Sequence, residues 1–442
     1  MLDRFVGEVL RKTMLNMISG ESCPQDDYLN DIQMGDDAAK LTTDLARTSS
    51  HEPITWDLIQ MVEHSCELKE LLCKSISRAM RINPDRRTNP VYSLESYYSF
   101  IDWSARAMPW EITPTEEYSM LYDRIDQSMG CFYFICDQPL PELEEKGYYH
   151  NSLMYHEPFR SWLVKFTSGY GAFLNTEESW REEFLLMARE DPSFRLDEAL
   201  YEDRANWRCF NDFFARKLCD ASVRPIDAPE DDAVVVSPAD AVPQGLWRID
   251  EAHRVSEDPE IGHGIAIKTG TLRSVASLLG ESRYAESFSG GTLTHTTLDV
   301  NDYHRFHFPV SGTVLEVSVI PADDAPGGVI VWDSIEGRYK EYGSDQFGWQ
   351  SLETRGVVIM KTVAGALAAI VPVGMCEVNS VNFEDSVKAG AEVRKGDPLG
   401  YFLFGGSDII MIFDRKAAFR MTADSGRHLQ MGKAYGLLPG ET

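Results

Sequence analysis

The chain has 442 residues and no CxxC pair. Its eight cysteines stand apart, at Cys23, Cys66, Cys73, Cys131, Cys136, Cys209, Cys219 and Cys376. That spacing excludes a small disulfide-stapled scaffold and implies free thiols in a reducing compartment. HExxH is absent too, and no Cys/His quartet has ligand spacing, so no metal is expected. No apolar run approaches the ~18 residues that a spanning helix needs. The best candidate, Ala364 to Met375, carries Gly365, Pro372 and Gly374 and reads as buried strand instead. The N-terminus shows no basic stretch, apolar core and small-residue cleavage site, so a cytoplasmic protein is expected. Positive charge is scarce: 42 Lys and Arg face 70 Asp and Glu, a net charge of −28. Such a balance disfavours nucleic-acid and anionic-membrane partners, whose charge has the same sign. Long internal repeats and low-complexity tracts are also lacking. What remains is an ordinary globular composition, 43% hydrophobic and 25% charged.

The first half has helical periodicity. Phe5, Val6, Val9, Leu10, Met14, Met17 and Ile18 follow a helical spacing and predict a docked amphipathic helix. Between Trp56 and Met80, apolar residues recur every three or four positions. Ser179 is placed to cap a further helix whose first turn holds Glu182 and Glu183. Tyr97, Tyr98, Phe100 and Trp103 read as core. A break falls at Arg224 to Asp232, where Pro225 and Pro229 precede the acidic run Glu230-Asp231-Asp232. Beyond it come short β-branched runs: Val234–Val236, Ile265–Ile267, Thr313–Ile320, Gly328–Trp332, Val357–Met360, Ala368–Val373 and Ile409–Phe413. The expected fold class is α+β, with a helical N-terminal domain over 1–205 and a β-rich catalytic domain over 206–442.

Four patterns in the second half carry polar residues in unusual settings. Phe210-Asn211-Asp212-Phe213-Phe214-Ala215-Arg216-Lys217-Leu218 reads, alone, as an aromatic helix against a core. Ser237-Pro238-Ala239-Asp240 follows a valine run, and its aspartate is suited to capping a turn. Asp302-Tyr303-His304-Arg305-Phe306-His307 sets two histidines three apart. Phe404-Gly405-Gly406-Ser407 is a glycine turn ending in a serine. Serine, histidine and aspartate together suggest a hydrolase triad, but no GxSxG elbow is present.

Taken in order, these patterns resemble the phosphatidylserine decarboxylase family of pyruvoyl-dependent decarboxylases. The likeness covers roughly 206 to 420 and includes Arg224-Pro225-Ile226, Ile267-Lys268 to Leu278-Leu279-Gly280, Val373-Gly374 and Lys395-Gly396-Asp397-Pro398-Leu399-Gly400. The resemblance implies a fold like that family's and a chain that cuts itself between Gly406 and Ser407. The Ser407 hydroxyl attacks the Gly406 carbonyl, the amide becomes an ester, and elimination followed by hydrolysis turns residue 407 into a pyruvoyl group. That group is the implied cofactor, with no metal and no pyridoxal phosphate. It holds the substrate amine as a Schiff base and takes up the electrons released with CO₂.

By the same resemblance His307 is the base for Ser407, Asp240 orients His307, and His304 is the proton donor in decarboxylation. These residue types suit the chemistry, because a serine hydroxyl needs a neighbouring base. Gly405 and Gly406 allow a close approach. Residues three apart on a regular strand face opposite ways, so the chain must bend between His304 and His307 if both serve one site.

Ala241 follows the SPAD motif where the family usually has glycine, and the segment before the histidines is less apolar than usual. With the long acidic first half, these traits resemble the soluble branch of the family, whose substrates are free amino acids, aromatic ones such as tryptophan among them. Phosphatidylserine is the alternative substrate, and the expected partners are a small amino acid and the chain's own two cleavage products. A different class is a carrier module, because Val387 to Gly396 resembles the hairpins of lipoyl or biotinyl domains. It lacks the usual context of a modifiable lysine.

Overall fold

The computed structural model describes residues 51–113, 118–255, 274–280, 282–321, 328–345, 347–377 and 380–439. The expected helix over Phe5–Ile18 and the run Ile265–Ile267 lie outside them.

Helices dominate the first part. The periodic stretch from Trp56 to Met80 is two helices, Pro53–Glu63 and Cys66–Ile82. They part at His64 and Ser65, where the Ser65 hydroxyl accepts the Leu68 N–H at 3.1 Å and starts the second. Leu94–Ser104, Leu121–Cys136, Phe159–Leu174 and Glu182–Glu190 follow. The last begins at Glu182 with Arg181 as its N-cap residue, so Ser179 does not cap it. The Ser179 hydroxyl instead bonds the Leu174 and Thr176 carbonyls and accepts the Phe210 N–H. Tyr97, Tyr98 and Phe100 are core as expected, whereas Trp103 is half exposed.

Fifteen strands follow among the described residues: β1 Val234–Val236, β2 Val242–Arg248, β3 Thr292–Leu298, β4 Arg305–His307, β5 Gly312–Ile320, β6 Val329–Asp333, β7 Arg338–Tyr342, β8 Thr354–Thr362, β9 Leu367–Met375, β10 Asn382–Phe383, β11 Glu392–Val393, β12 Pro398–Tyr401, β13 Gly406–Phe413, β14 Arg420–Met421 and β15 Ala434–Leu437. The main sheet is antiparallel, in the order β11-β5-β8-β9-β13-β3-β2. Its inner strands β8, β9 and β13 read as near-continuous apolar runs because both faces are covered. Small sheets β10-β12-β4 and β1-β15-β14 and the hairpin β6-β7 complete the fold. An α+β fold is therefore observed.

Packing crosses the expected boundary at 205/206. Gln127 of helix Leu121–Cys136 works as an extra strand for β7, accepting the Tyr339 N–H at 2.6 Å and donating to its carbonyl at 3.0 Å. Rings form a continuous path from helices to sheet: Trp110 stacks on Phe184 at 4.6 Å, Phe184 meets Phe210 at 5.2 Å, and Phe210 meets Phe404 at 5.2 Å. Such aromatic pairs each contribute about 1 kcal/mol beyond their buried area. The path ends beside Gly405.

Candidate active site

Strand β13 positions the serine. Ser407 lies opposite Leu298 of β3 on one side and Gly374 of β9 on the other. Directly paired residues share a face, so Ser407, Leu298 and Gly374 look one way and Asp408, Thr297 and Val373 the other. A Cβ at Gly374 would sit 2.6 Å from the Ser380 carbonyl oxygen, so only glycine fits opposite the serine. At Gly405, φ is 141° and a Cβ would lie 2.6 Å from the Met375 and Cys376 carbonyl oxygens. The glycine turn is thus forced by backbone passing close behind it. Asn211 holds the approach by accepting the Phe404 N–H at 3.0 Å.

The histidines are treated differently by their surroundings. His304 precedes the short strand β4 and His307 ends it. Register along β4–β12 slips between Pro398 and Gly400. His304 Nδ1 lies 3.4 Å from the Ser407 Oγ, and its Nε2 lies 3.0 Å from the Asp299 carbonyl oxygen. A carbonyl only accepts, so Nε2 carries the proton and Nδ1 turns a lone pair to the serine. Both residues are fully buried. Burial, reinforced by the Arg216 charge, pushes the His304 pKa down to about 3, so the ring rests neutral. The Phe214 ring stacks on it, with centroids 3.8 Å apart.

His307 is not the histidine that meets Ser407. Its Nδ1 donates to the Gly396 carbonyl at 2.9 Å, which leaves Nε2 to accept the Tyr303 hydroxyl at 3.1 Å. Both ring nitrogens are therefore engaged. Burial lowers its pKa. Asp240 does not hydrogen-bond to His307 either. Its two carboxylate oxygens meet Arg224 at 3.1 and 2.6 Å, and Oδ1 also accepts the Met431 N–H at 2.8 Å. The structure thus brings Ser407, Gly405, Gly406 and His304 together. His307 and Asp240 sit nearby in separate hydrogen-bonded groups.

Three residues of the segment Phe210–Leu218, to which the sequence gave no role of their own, support this arrangement. Phe214 and Asn211 belong to the short helix Phe210–Phe214. Arg216, fully buried, donates to the carbonyls of Asn301 and Asp302 at 2.8 Å each and fixes the turn before His304. A buried arginine in an apolar run was the available signal, since burial requires partners for its charge. On the opposite face of β13, Asp408 pairs with His295 at 3.1 Å and Gln350 donates to it at 3.3 Å, with all three side chains buried. Lys395, in the segment resembling a carrier hairpin, is buried and donates to the Asp231 and Val234 carbonyls, so it is not displayed for modification.

A family model described as phosphatidylserine decarboxylase matches residues 210–437. Phosphatidylserine decarboxylase proenzyme 2 of Oryza sativa subsp. japonica is 29% identical over 280 residues, 62% of this chain and 40% of that protein. The chain therefore spans less than half the length of the rice relative. Phosphatidylserine decarboxylase proenzyme of Vibrio campbellii is 27% identical over 251 residues, 54% of this chain and 82% of its own. Decarboxylase iboD of Amanita muscaria is 27% identical over 294 residues, 61% of this chain and 79% of its own.

Proposed function

Because the chain belongs to the phosphatidylserine decarboxylase family, we propose that it is a self-maturing, pyruvoyl-dependent decarboxylase whose cofactor is made from Ser407. The observation that carries this reading is the buried Ser407 hydroxyl beside Gly406, facing a neutral imidazole lone pair at 3.4 Å. That separation exceeds the ~2.8 Å of a formed O–H···N bond and must shorten as the proton moves. In this reading His304 takes the proton from the hydroxyl. The Ser407 Oγ bonds to the Gly406 carbonyl carbon, the C–N bond breaks, and the same proton passes to the departing amide nitrogen. Residue 407 fits the cofactor because it lies between β9 and β3 and stays anchored there through the cut.

The pyruvoyl carbonyl supplies the electron sink for loss of CO₂ from an amine-bearing carboxylic acid. His304, under the Phe214 ring and 3.4 Å from the residue 407 side chain, can then hold or move a proton there. The aspartate–histidine pairing suggested by family resemblance would require His307 to leave Tyr303 or Gly396.

For the substrate we favour a free L-amino acid, an aromatic one such as tryptophan or another small one, over phosphatidylserine. The net charge of −28 opposes an anionic lipid surface. No helix among the described residues is long and apolar enough to cross a membrane. The test is amine release from a panel of the twenty amino acids, alongside phosphatidylserine vesicles, on protein whose cut is verified by intact mass. Release of free amine from one amino acid supports the choice. Lipid turnover without it transfers the assignment to phosphatidylserine.

A further inference from the structure

Strand β13 carries one charged residue in an otherwise apolar run, and it directly follows the serine. Asp408 is fully buried, where a carboxylate is costly without partners. Its partners lie on the sheet face away from Ser407. His295 Nδ1 is 3.2 Å from Oδ1 and 3.1 Å from Oδ2, and Gln350 Nε2 donates to Oδ2 at 3.3 Å. Each partner is held in turn. His295 Nε2 lies 3.3 Å from the Asp345 carbonyl oxygen, and the Trp247 ring stacks on the imidazole at 4.9 Å. Gln350 also accepts the Gly348 N–H at 2.9 Å. Strand β3 and the short turn Trp349–Ser351 therefore grip β13 at 408 from outside it. Leu298 and Gly374, opposite residue 407, bring no polar side chain, so the first side-chain tie of the strand beyond the serine is at 408.

We propose that Asp408, tied to His295 and Gln350, is a positioning residue for the cofactor at 407: it keeps the new chain end in register after the cut and is dispensable for the cut itself. The role rests on the maturation reading above. In the uncut chain residue 407 is held from both directions. Ahead of it, Gly405 is backed by the Met375 and Cys376 backbone, and Asn211 accepts the Phe404 N–H. Those ties stay with the longer product. Conversion of Ser407 to a pyruvoyl group releases its nitrogen as ammonia, and the residue's N–H is lost with it. Asp408 then bears the first amide of the shorter chain. A strand end frays unless something ties it down, and a satisfied buried polar network is a rigid tie. A reacting carbonyl displaced by even 1 Å loses much of its alignment with the substrate and with proton-carrying groups. Burial of an aspartate one residue from the cut thus has a use in the mature enzyme that the precursor does not need.

The test compares Asp408→Ala and Asp408→Asn in the full chain, with the same substitutions in the uncut Ser407→Ala background. Amide hydrogen exchange is read at 408–410 relative to 411–413 of the same strand, a ratio that cancels any change in global stability. In the cut Asp408→Ala protein that ratio should rise about tenfold over cut wild type, whereas in the uncut background it should stay within about twofold. Cutting, followed by intact mass, should stay within about threefold of wild type. With the substrate that the panel above yields, kcat should fall about tenfold while KM stays within about threefold. Asparagine keeps a carbonyl acceptor for one partner, so Asp408→Asn should recover most of the exchange protection and of kcat. If Asp408→Ala does not fold, Gln350→Ala removes one tie, and about a threefold rise in the same ratio is then expected, again only after the cut. The proposal is overturned if the ratio does not rise in the cut protein, or if it rises equally in the uncut one, which would make the network merely structural. Wild type that stays whole while releasing product would instead defeat the maturation reading, and this role with it.

Discussion

His304 and His307 are three residues apart, both buried, and each has one ring nitrogen tied to a backbone carbonyl. They differ in what the second nitrogen meets. Around His307 the Tyr303 hydroxyl fills that place and the hydrogen bonding is complete. Around His304 the second nitrogen meets the serine hydroxyl at a distance longer than a settled bond, and Phe214 stacks on the ring. In this geometry His307 bridges Tyr303 and Gly396, whereas His304 turns a lone pair toward the serine hydroxyl. The comparison teaches that the wiring of the second nitrogen, rather than burial or motif position, separates the two.

The most drastic way to break the comparison removes the serine. Ser407→Ala should remain one uncut chain by intact mass, with no decarboxylation, because attacker and cofactor source vanish together. Next come the histidines. His304→Ala should slow cutting by about two orders of magnitude or more, the usual contribution of a positioned base. His307→Ala and Tyr303→Phe should cost about tenfold or less, since they loosen a neighbouring bridge. The reverse order, read from cleavage time courses, would transfer the proton-accepting role to His307. A control lies on the opposite face of β13. Asp408→Ala leaves His295 and Gln350 buried without the carboxylate they bond and should destabilise the uncut Ser407→Ala chain by roughly 2 kcal/mol, read from its denaturation midpoint. The double variant with His295→Leu should recover part of that loss.

The smallest effect is a pH slope. The folded pKa of His304, about 3, lies below its ordinary 6.5. Between those values the unfolded chain binds a proton that the folded chain refuses, so this group makes stability fall as pH drops from about 6.5 toward 3. The slope is about 1.4 kcal/mol per pH unit for one proton. In the Ser407→Ala background, His304→Gln should flatten the acid limb by up to that amount, measured by urea titration at several pH values.

Much of this was legible in the sequence, and the reasons differ by element. The valine and isoleucine runs after the break became β1, β5, β6, β8, β9 and β13, and in β8, β9 and β13 the runs are nearly uninterrupted because both faces are covered. The glycine–serine turn and the histidine pair were visible as motifs. The pairing among them was not, since hydrogen bonds between residues about a hundred apart depend on sheet register. The family pattern joins His307 to Ser407 and Asp240, while register and the 299–302 turn deliver His304 to the serine and give Asp240 to Arg224. Helix starts were blurred for a local reason. Ser179 has the right residue type for a cap, yet tertiary partners at Leu174 and Phe210 claim its hydroxyl.

Strand β13 sits between two neighbours, in register with β3 from Ser407 and with β9 from Gly406, both as far as Phe413. Scission ahead of Ser407 would free one peptide linkage while leaving the following residues stitched into the middle of the sheet. Further along, β15 stays paired with β1, and Asp227 bonds Lys433 and Ala434. The mature enzyme would then be a two-chain molecule whose smaller component, 407–442, supplies an interior layer of the larger. Denaturation would separate strands that had been tethered, so renaturation would become a second-order encounter, dependent on dilution. The uncut precursor would return to its fold by a concentration-independent route, and the proteolytic event would act as a one-way ratchet on assembly.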